Sequence, residues 1–336
     1  MLPRLYALRA APKHTLRRAL PLAIAAALLS VPASANPTWW KNEGWATNFE
    51  LMNVDPDSIQ SGGPPKDGIP SIDDPQFITV AEAAYDDREP VIGLEIDGDA
   101  RAYPLSILTW HEIVNDTVGG TPVIVTYCPL CNAAITFDRT VAGKAVEFGT
   151  TGKLRKSDLV MYDRATQSWW QQFTGEAIAG ERLGERLNML PSRLESYAQF
   201  KERHPDGRVL VPADPGFRDY GRNPYVSYDT ARSPFLYRGT LPDGIDPMAR
   251  VVVVRDGDTP HVVAMDAVRA AGSLELAGAT LTWREGQASA LDTQRIVDGR
   301  DVGTIVAQRD GRDIPYDVTF AFVAHAFHPE AEIRTE

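Results

Sequence analysis

The chain's only two cysteines, Cys128 and Cys131, stand in the stretch V-I-V-T-Y-C-P-L-C-N-A-A-I-T-F-D-R, from Val123 to Arg139. A strand-type apolar run delivers a C-x-x-C into a tight turn, and a second apolar run follows. Three chemistries suit that spacing. A structural disulfide is the least economical, because closing a loop of about four residues restricts the unfolded chain by only about 2 kcal/mol, against about 3 for fifteen residues. Thiol/disulfide redox is the second: one thiolate attacks, its neighbour resolves, and nearby cations favour the thiolate. His111, Arg139 and Arg155 are the candidate cations, with Cys128 as nucleophile, Cys131 as resolving thiol and His111 setting protonation. Metal binding is the third, with Cys128, Cys131 and His111 offering soft or borderline donors for Zn or Cu(I). A fourth place is left to Glu112, a C-terminal histidine or an exogenous ligand.

Several alternatives are excluded by pattern. Asn132 follows Cys131, so C-x-x-C-H haem attachment is absent. No long helix follows the first cysteine, which disfavours a thioredoxin fold. There is no G-x-G-x-x-G opening a helix, no P-loop and no G-x-S-x-G. His325 and His328 form an H-x-x-H, but Val318 to Phe327 reads as a strand, which would point the two rings to opposite faces. A further reading is a non-catalytic binding module, with Trp169, Trp170 and Tyr162 lining a ligand groove that the cysteines brace.

The elements that must position the pair follow from period and turn chemistry. Val91–Ile96 and Arg101–Pro104 flank Asp97-Gly98, a hairpin signal. Leu105 to Val114 has the spacing of a short helix carrying His111-Glu112 near its end, and Gly119-Gly120 turns the chain into the Val123 strand. Further hairpins are expected around Val141–Lys144 and Asp163–Thr166, and a second helix over Ser196–Arg203. The fold class is therefore α+β, β-rich, mostly antiparallel, with a few short helices. The second half echoes the first: Asp97-Gly98 and Gly119 recur 159 residues on as Asp256-Gly257 and Gly278. This predicts two diverged internal repeats, the second without cysteine and with a helix over Asp266–Ala271. The expected organisation is a signal peptide over 1–35, an arm rich in aromatics, Pro and Gly over 36–88, a Cys-bearing half over 89–215, and a Cys-free half over 216–336 packed on it.

Residues 1–35 carry five basic residues and no acid, then an apolar stretch from Ala19 to Val31 and Ala33-Ser34-Ala35 before Asn36. That is an export signal, and it predicts a periplasmic or extracellular protein with no other membrane span. Arg17-Arg18 raises a twin-arginine route, although its flanks fit poorly. With a formal charge of −11 overall, of which the leader contributes +5, the rest of the chain carries −16. So acidic a surface excludes nucleic acid as a partner and leaves a small-molecule or protein thiol as the expected one.

The runs W-H-E-I-V-N-D (Trp110–Asp116), T-Y-C-P-L-C-N (Thr126–Asn132), F-D-R (Phe137–Arg139) and F-G-T-T-G-K-L-R-K-S-D-L-V-M-Y-D-R (Phe148–Arg164) together resemble the bacterial and archaeal domain-of-unknown-function family 3179, over roughly Thr79 to Pro329. The resemblance brings no established activity. It implies an exported or membrane-attached protein. Some members are selenoproteins with selenocysteine in the corresponding motif, which favours redox use of Cys128 or Cys131 and is also compatible with metal ligation. It further implies that His111, Glu112, Asp138, Asp158, Tyr162 and Asp163 surround the pair, with Arg139 beside them.

Overall fold

The hairpin that the Asp-Gly signal predicts is present. In the computed structural model, which describes residues 37–336, strands Pro90–Ile96 and Asp99–Pro104 pair antiparallel from Val91↔Pro104 to Ile96↔Asp99. Asp97 (φ 50°) and Gly98 (φ 82°) both take the left-handed conformation that two-residue hairpin turns require. Helix Leu105–His111 follows, shorter than the expected span ending at Val114. Glu112 stops it by adopting φ 59° while its amide donates to the Leu108 carbonyl. The β-branched pair Ile113-Val114 then opens strand Ile113–Val118 instead. Strand Thr121–Cys128 runs between that strand and Ala133–Asp138, with Cys128 opposite Ala133. It is therefore a central strand, which is why Val123, Ile124, Val125 and Tyr127 are all fully buried.

A second set of elements follows the same order. Strands Arg250–Asp256 and Thr259–Ala264, helix Met265–Ala271, and strands Ser273–Leu276, Ala279–Arg284 and Thr304–Arg309 repeat strand, strand, helix and three strands. Ile96↔Asp99 corresponds to Asp256↔Thr259, an offset of 160 residues. Val118↔Thr121 corresponds to Leu276↔Ala279, an offset of 158. The single spacing of 159 read from the sequence thus splits in two, because the second hairpin turns on Gly257-Asp258 and not on Asp256-Gly257. The correspondence also extends further than the sequence signal. Strand Arg193–Ser196, helix Tyr197–Arg203 and strand Arg208–Val211 flank the first hairpin as strand Tyr316–Phe320, helix Ala321–Phe327 and strand Ile333–Arg334 flank the second. In each case the first strand pairs antiparallel and the last parallel.

Five sheets of four or five strands result, in a propeller-like arrangement, with few and short helices. One of the five sheets is built from Phe148–Arg155, Asp158–Asp163, Trp169–Gln171 and Glu176–Ala179, with the arm strand Ile59–Ser61 on its edge. The arm is held by its aromatics: Trp40, Trp45 and Phe49 pack on Trp169 with ring centroids 4.8 to 5.1 Å apart. Such pairs contribute about 1 kcal/mol each beyond the area they bury. Trp169 and Trp170 are wholly buried and Tyr162 nearly so. They form core and not the ligand groove that the sequence suggested.

A second correction concerns Val318 to Phe327, where the strand ends at Phe320 and helix Ala321–Phe327 takes over. His325 and His328 therefore lie three residues apart at a helix end. The signal expected over residues 1–35 lies outside the described residues. Among those described, no helix is long and apolar enough to cross a membrane.

Candidate functional site

Cys128 ends its strand, and the Pro129-Leu130 turn carries Cys131 back beneath it. The Cys131 amide donates to the Cys128 carbonyl (3.2 Å), and Asn132 takes φ 52° so that the chain can enter the next strand. Cys128 is 2% exposed and Cys131 fully buried, with Sγ to Sγ 3.0 Å. Both are free thiols. Facing them is the tight turn Lys156-Ser157, at φ 56° and 68°, which joins the two long strands of the neighbouring sheet. The Ser157 carbonyl accepts from Cys131 (3.3 Å) and more weakly from Cys128 (3.8 Å). The next residue, Asp158, sets Oδ1 3.3 Å from Cys131 Sγ.

Asp158 is fully buried and held from behind. Its Oδ2 accepts from Gln171 Nε2 (2.6 Å) and from the Phe173 amide (2.9 Å). Desolvation nonetheless pushes its carboxyl up to about 7, the hydrogen bonds only moderating the rise. Glu112 is pushed up to about 8 by burial and by the Asp158 charge. Burial likewise raises the Cys128 thiol, with Asp158 and Glu112 adding to it, and drives Cys131 well above the ordinary thiol value. Three acidic groups, Cys128, Cys131 and Asp158, thus converge in one buried volume. Arg155 reaches it at second hand, bonding Gln171 Oε1 (3.2 Å) and Ser58 Oγ (3.3 Å). From the second half of the chain, the Tyr228 hydroxyl donates to the Leu130 carbonyl (2.9 Å), and Thr319 Oγ1 to the Cys131 carbonyl (2.7 Å).

Of the residues expected around the pair, Asp158 reaches a sulfur, whereas His111 bonds elsewhere. His111 turns the other way: Nδ1 meets the Pro70 carbonyl (2.7 Å) and Nε2 the Tyr220 hydroxyl (2.8 Å), with the ring stacked on Tyr220. The physical reason is the helix stop. The left-handed Glu112 ends the helix at His111, and the imidazole there is held between the Pro70 carbonyl and Tyr220.

Four more of the surrounding residues are structural. Arg139 pins the Asp116, Val123 and Val146 carbonyls. Asp138 accepts from the Thr140 amide within its turn. Asp163 holds Thr166 and the Trp170 indole N–H, and the Tyr162 hydroxyl bonds Asp67 in the arm. Sequence reasoning missed the Ser157 carbonyl, Gln171 and the Phe173 amide, which carry no motif signal because they act through backbone or as ordinary polar side chains.

The ligand atoms of Cys128, Cys131 and Asp158 lie within 4.8 Å of one another, and among the described residues they form a group able to hold a metal ion. Fold and site together define a β-rich, propeller-like protein with a buried Cys-Cys-Asp centre. The chain belongs to the family described as protein of unknown function (DUF3179), whose model matches residues 66–331. No curated protein and no solved structure matches it.

Proposed function

We propose that the protein is a metal-binding protein whose Cys128, Cys131 and Asp158 hold a Zn or Cu(I) ion. The observation that carries this reading is the convergence of two thiols and a carboxyl, all buried, within 4.8 Å. Buried acids with no directly bonded cation either stay protonated or share a metal, and a metal lowers the thiol pKa enough to deprotonate it outright. The same burial argues against a thiolate that attacks large substrates, since both thiols are raised. Elemental analysis of protein purified from an exporting host should find about one equivalent of metal, lost in Cys128→Ser and Asp158→Asn. Metal-free wild-type protein that takes up neither Zn nor Cu(I) under reducing conditions would refute the reading.

A second reading, reversible thiol/disulfide exchange, is favoured by the 3.0 Å between the sulfurs. Tetrahedral zinc would open that distance to about 3.8 Å, from Zn–S bonds of about 2.3 Å, and a disulfide would close it to about 2.05 Å. Oxidation would remove two electrons and two protons from the pair and pass them to a small disulfide or hydroperoxide, giving two thiols or an alcohol and water. As an enzyme, the protein would then be a thiol/disulfide oxidoreductase acting on small partners. A reduction potential below about −300 mV would make the disulfide inert and remove this reading.

Export to the periplasm or cell exterior is part of the proposal, supported by the basic, apolar and small-residue order of residues 1–35. So is an internal duplication, with halves over 89–215 and 216–336, supported by the element-by-element correspondence above.

A further inference from the structure

A cleft of about 720 Å³ opens where residues 84–89 and the first turn of helix Leu105–His111 face segments 219–222 and 294–297. Glu89 lines this cleft, yet is only 2% exposed. Ser106 is its hydrogen-bonding neighbour, the amide donating to Glu89 Oε1 (2.9 Å), and among the described residues no cation pairs with the carboxylate. The helix does not need that acceptor in order to form. At the offset of 160 residues that relates the two hairpins, Glu89 corresponds to Ala249. The backbone does the same work at both places. The Glu89 carbonyl accepts from the first amide of helix Tyr197–Arg203, and the Ala249 carbonyl from the first amide of helix Ala321–Phe327, each at 2.8 Å. Helix Met265–Ala271 nonetheless forms with alanine where its counterpart has the glutamate. A buried, unpaired carboxylate at 89 is thus a cost that the fold itself does not call for, and it stands on the wall of a cleft.

The opposite wall is firmly built. Arg222 and Arg295 pair there in an antiparallel bridge, the Ile296 amide donates to the Gly221 carbonyl (3.1 Å), and Arg88 grips the Val297 and Gly299 carbonyls (3.1 and 2.7 Å). The Arg222 and Arg295 side chains line the cleft and are 55% and 71% exposed. Each meets an acid only at 3.5 Å, Asp219 and Asp298 respectively, so guanidinium donors remain for a ligand. Tyr85 and Tyr220 have their hydroxyls committed, to the Leu210 carbonyl (3.0 Å) and His111 Nε2 (2.8 Å), and with Ile107 they give the cleft apolar surface.

We propose that this cleft is a second site, separate from the cysteine centre, which binds a small zwitterion: an amino acid or ω-amino acid whose ammonium meets Glu89 and whose carboxylate meets Arg222 and Arg295. The ammonium supplies the counter-ion that the chain withholds from Glu89. A bare cation would satisfy Glu89 but face two arginines, and a bare anion would satisfy the arginines but face Glu89.

The test is isothermal titration calorimetry of the full chain with glycine, 4-aminobutyrate and 6-aminohexanoate, beside hexylamine and hexanoate. Burial pushes the Glu89 carboxyl up to about 7, so the titrations are run at pH 8, where it is ionised. At least one zwitterion should bind with Kd below about 1 mM. It should bind about tenfold or more tighter than either singly charged probe, and should weaken about tenfold in Glu89→Gln and in the double variant Arg222→Gln, Arg295→Gln. Glutamine keeps an acceptor for the Ser106 amide and removes a buried charge, so the thermal midpoint of Glu89→Gln at pH 8 should not fall. Weaker binding in that variant is then loss of the site and not of the fold. Failure of all three zwitterions to bind, or binding indifferent to Glu89→Gln, overturns the proposal. Hexylamine or hexanoate binding as tightly as the best zwitterion overturns the ligand class.

Discussion

Replacing Asp158 by Asn in the metal-free, reduced protein should flatten the pH dependence of its stability. Asp158 ionises near 3.8 when unfolded and near 7 when folded, because burial penalises the charge. A raised carboxyl leaves stability intact below the unfolded value and removes it as pH climbs through the folded value. A rise of about three pKa units at about 1.36 kcal/mol each is worth about 4 kcal/mol, lost between about pH 4 and 7. Glu112, raised to about 8, adds its own loss in both proteins, and the two carboxyls titrate as a coupled pair. The asparagine can keep its carbonyl on Gln171 Nε2 and the Phe173 amide and turn its amide N–H toward Cys131, so its cost below about pH 4, where the wild-type carboxyl is protonated in both states, should be no more than about 1 kcal/mol. At pH 8 the variant should then be the more stable protein by about 3 kcal/mol. For a chain of 336 residues that is roughly 4 °C in thermal midpoint. The assay is calorimetry or circular dichroism melting from pH 5 to 8 with reductant and chelator present. Parallel pH profiles for the two proteins would show that Asp158 is not held above its ordinary range, and the account of the centre as a set of crowded, uncompensated acids would fall with it.

His111→Ala should leave metal content unchanged while lowering stability by about 1–2 kcal/mol, through its bonds to Pro70 and Tyr220. Metal analysis beside a melt separates the two effects, and lost metal would return His111 to the site. Trp169→Ala should cost about 3–5 kcal/mol, because the ring is wholly buried beneath three arm aromatics. Limited proteolysis should then cut first in residues 37–60, and an arm as resistant as in wild type would contradict the packing described.

Local signals in the sequence were reliable where one residue type has one physical use. Asp97-Gly98 allows a two-residue turn, alternating apolar runs fill a half-buried strand, and C-x-x-C requires a tight reversal. Each was legible and each is present. The errors came where two elements meet. Leu105–Val114 and Val318–Phe327 were each assigned to one element, yet each contains a boundary. A left-handed glutamate sets the first boundary, and at the second strand gives way to helix at Phe320 and Ala321. Neither has a residue type that announces it, whereas Gly272 does announce the matching stop in the second half.

The sequence by itself determined that the chain's two cysteines share one tight turn after an apolar strand, and that the body is built from short strands with an echo in the second half. Family resemblance named Asp158 among six residues around the pair, but spacing could not determine which of them faces the sulfurs. That depends on which turn of another sheet lies against the Pro129-Leu130 loop, and the tertiary structure brings Ser157 and Asp158 there from about thirty residues away. It also depends on the partners that the fold offers His111, whose two ring nitrogens are taken by Pro70 and Tyr220. Ligand identity is a property of convergence between distant segments, and convergence is fixed by packing, not by spacing along the chain.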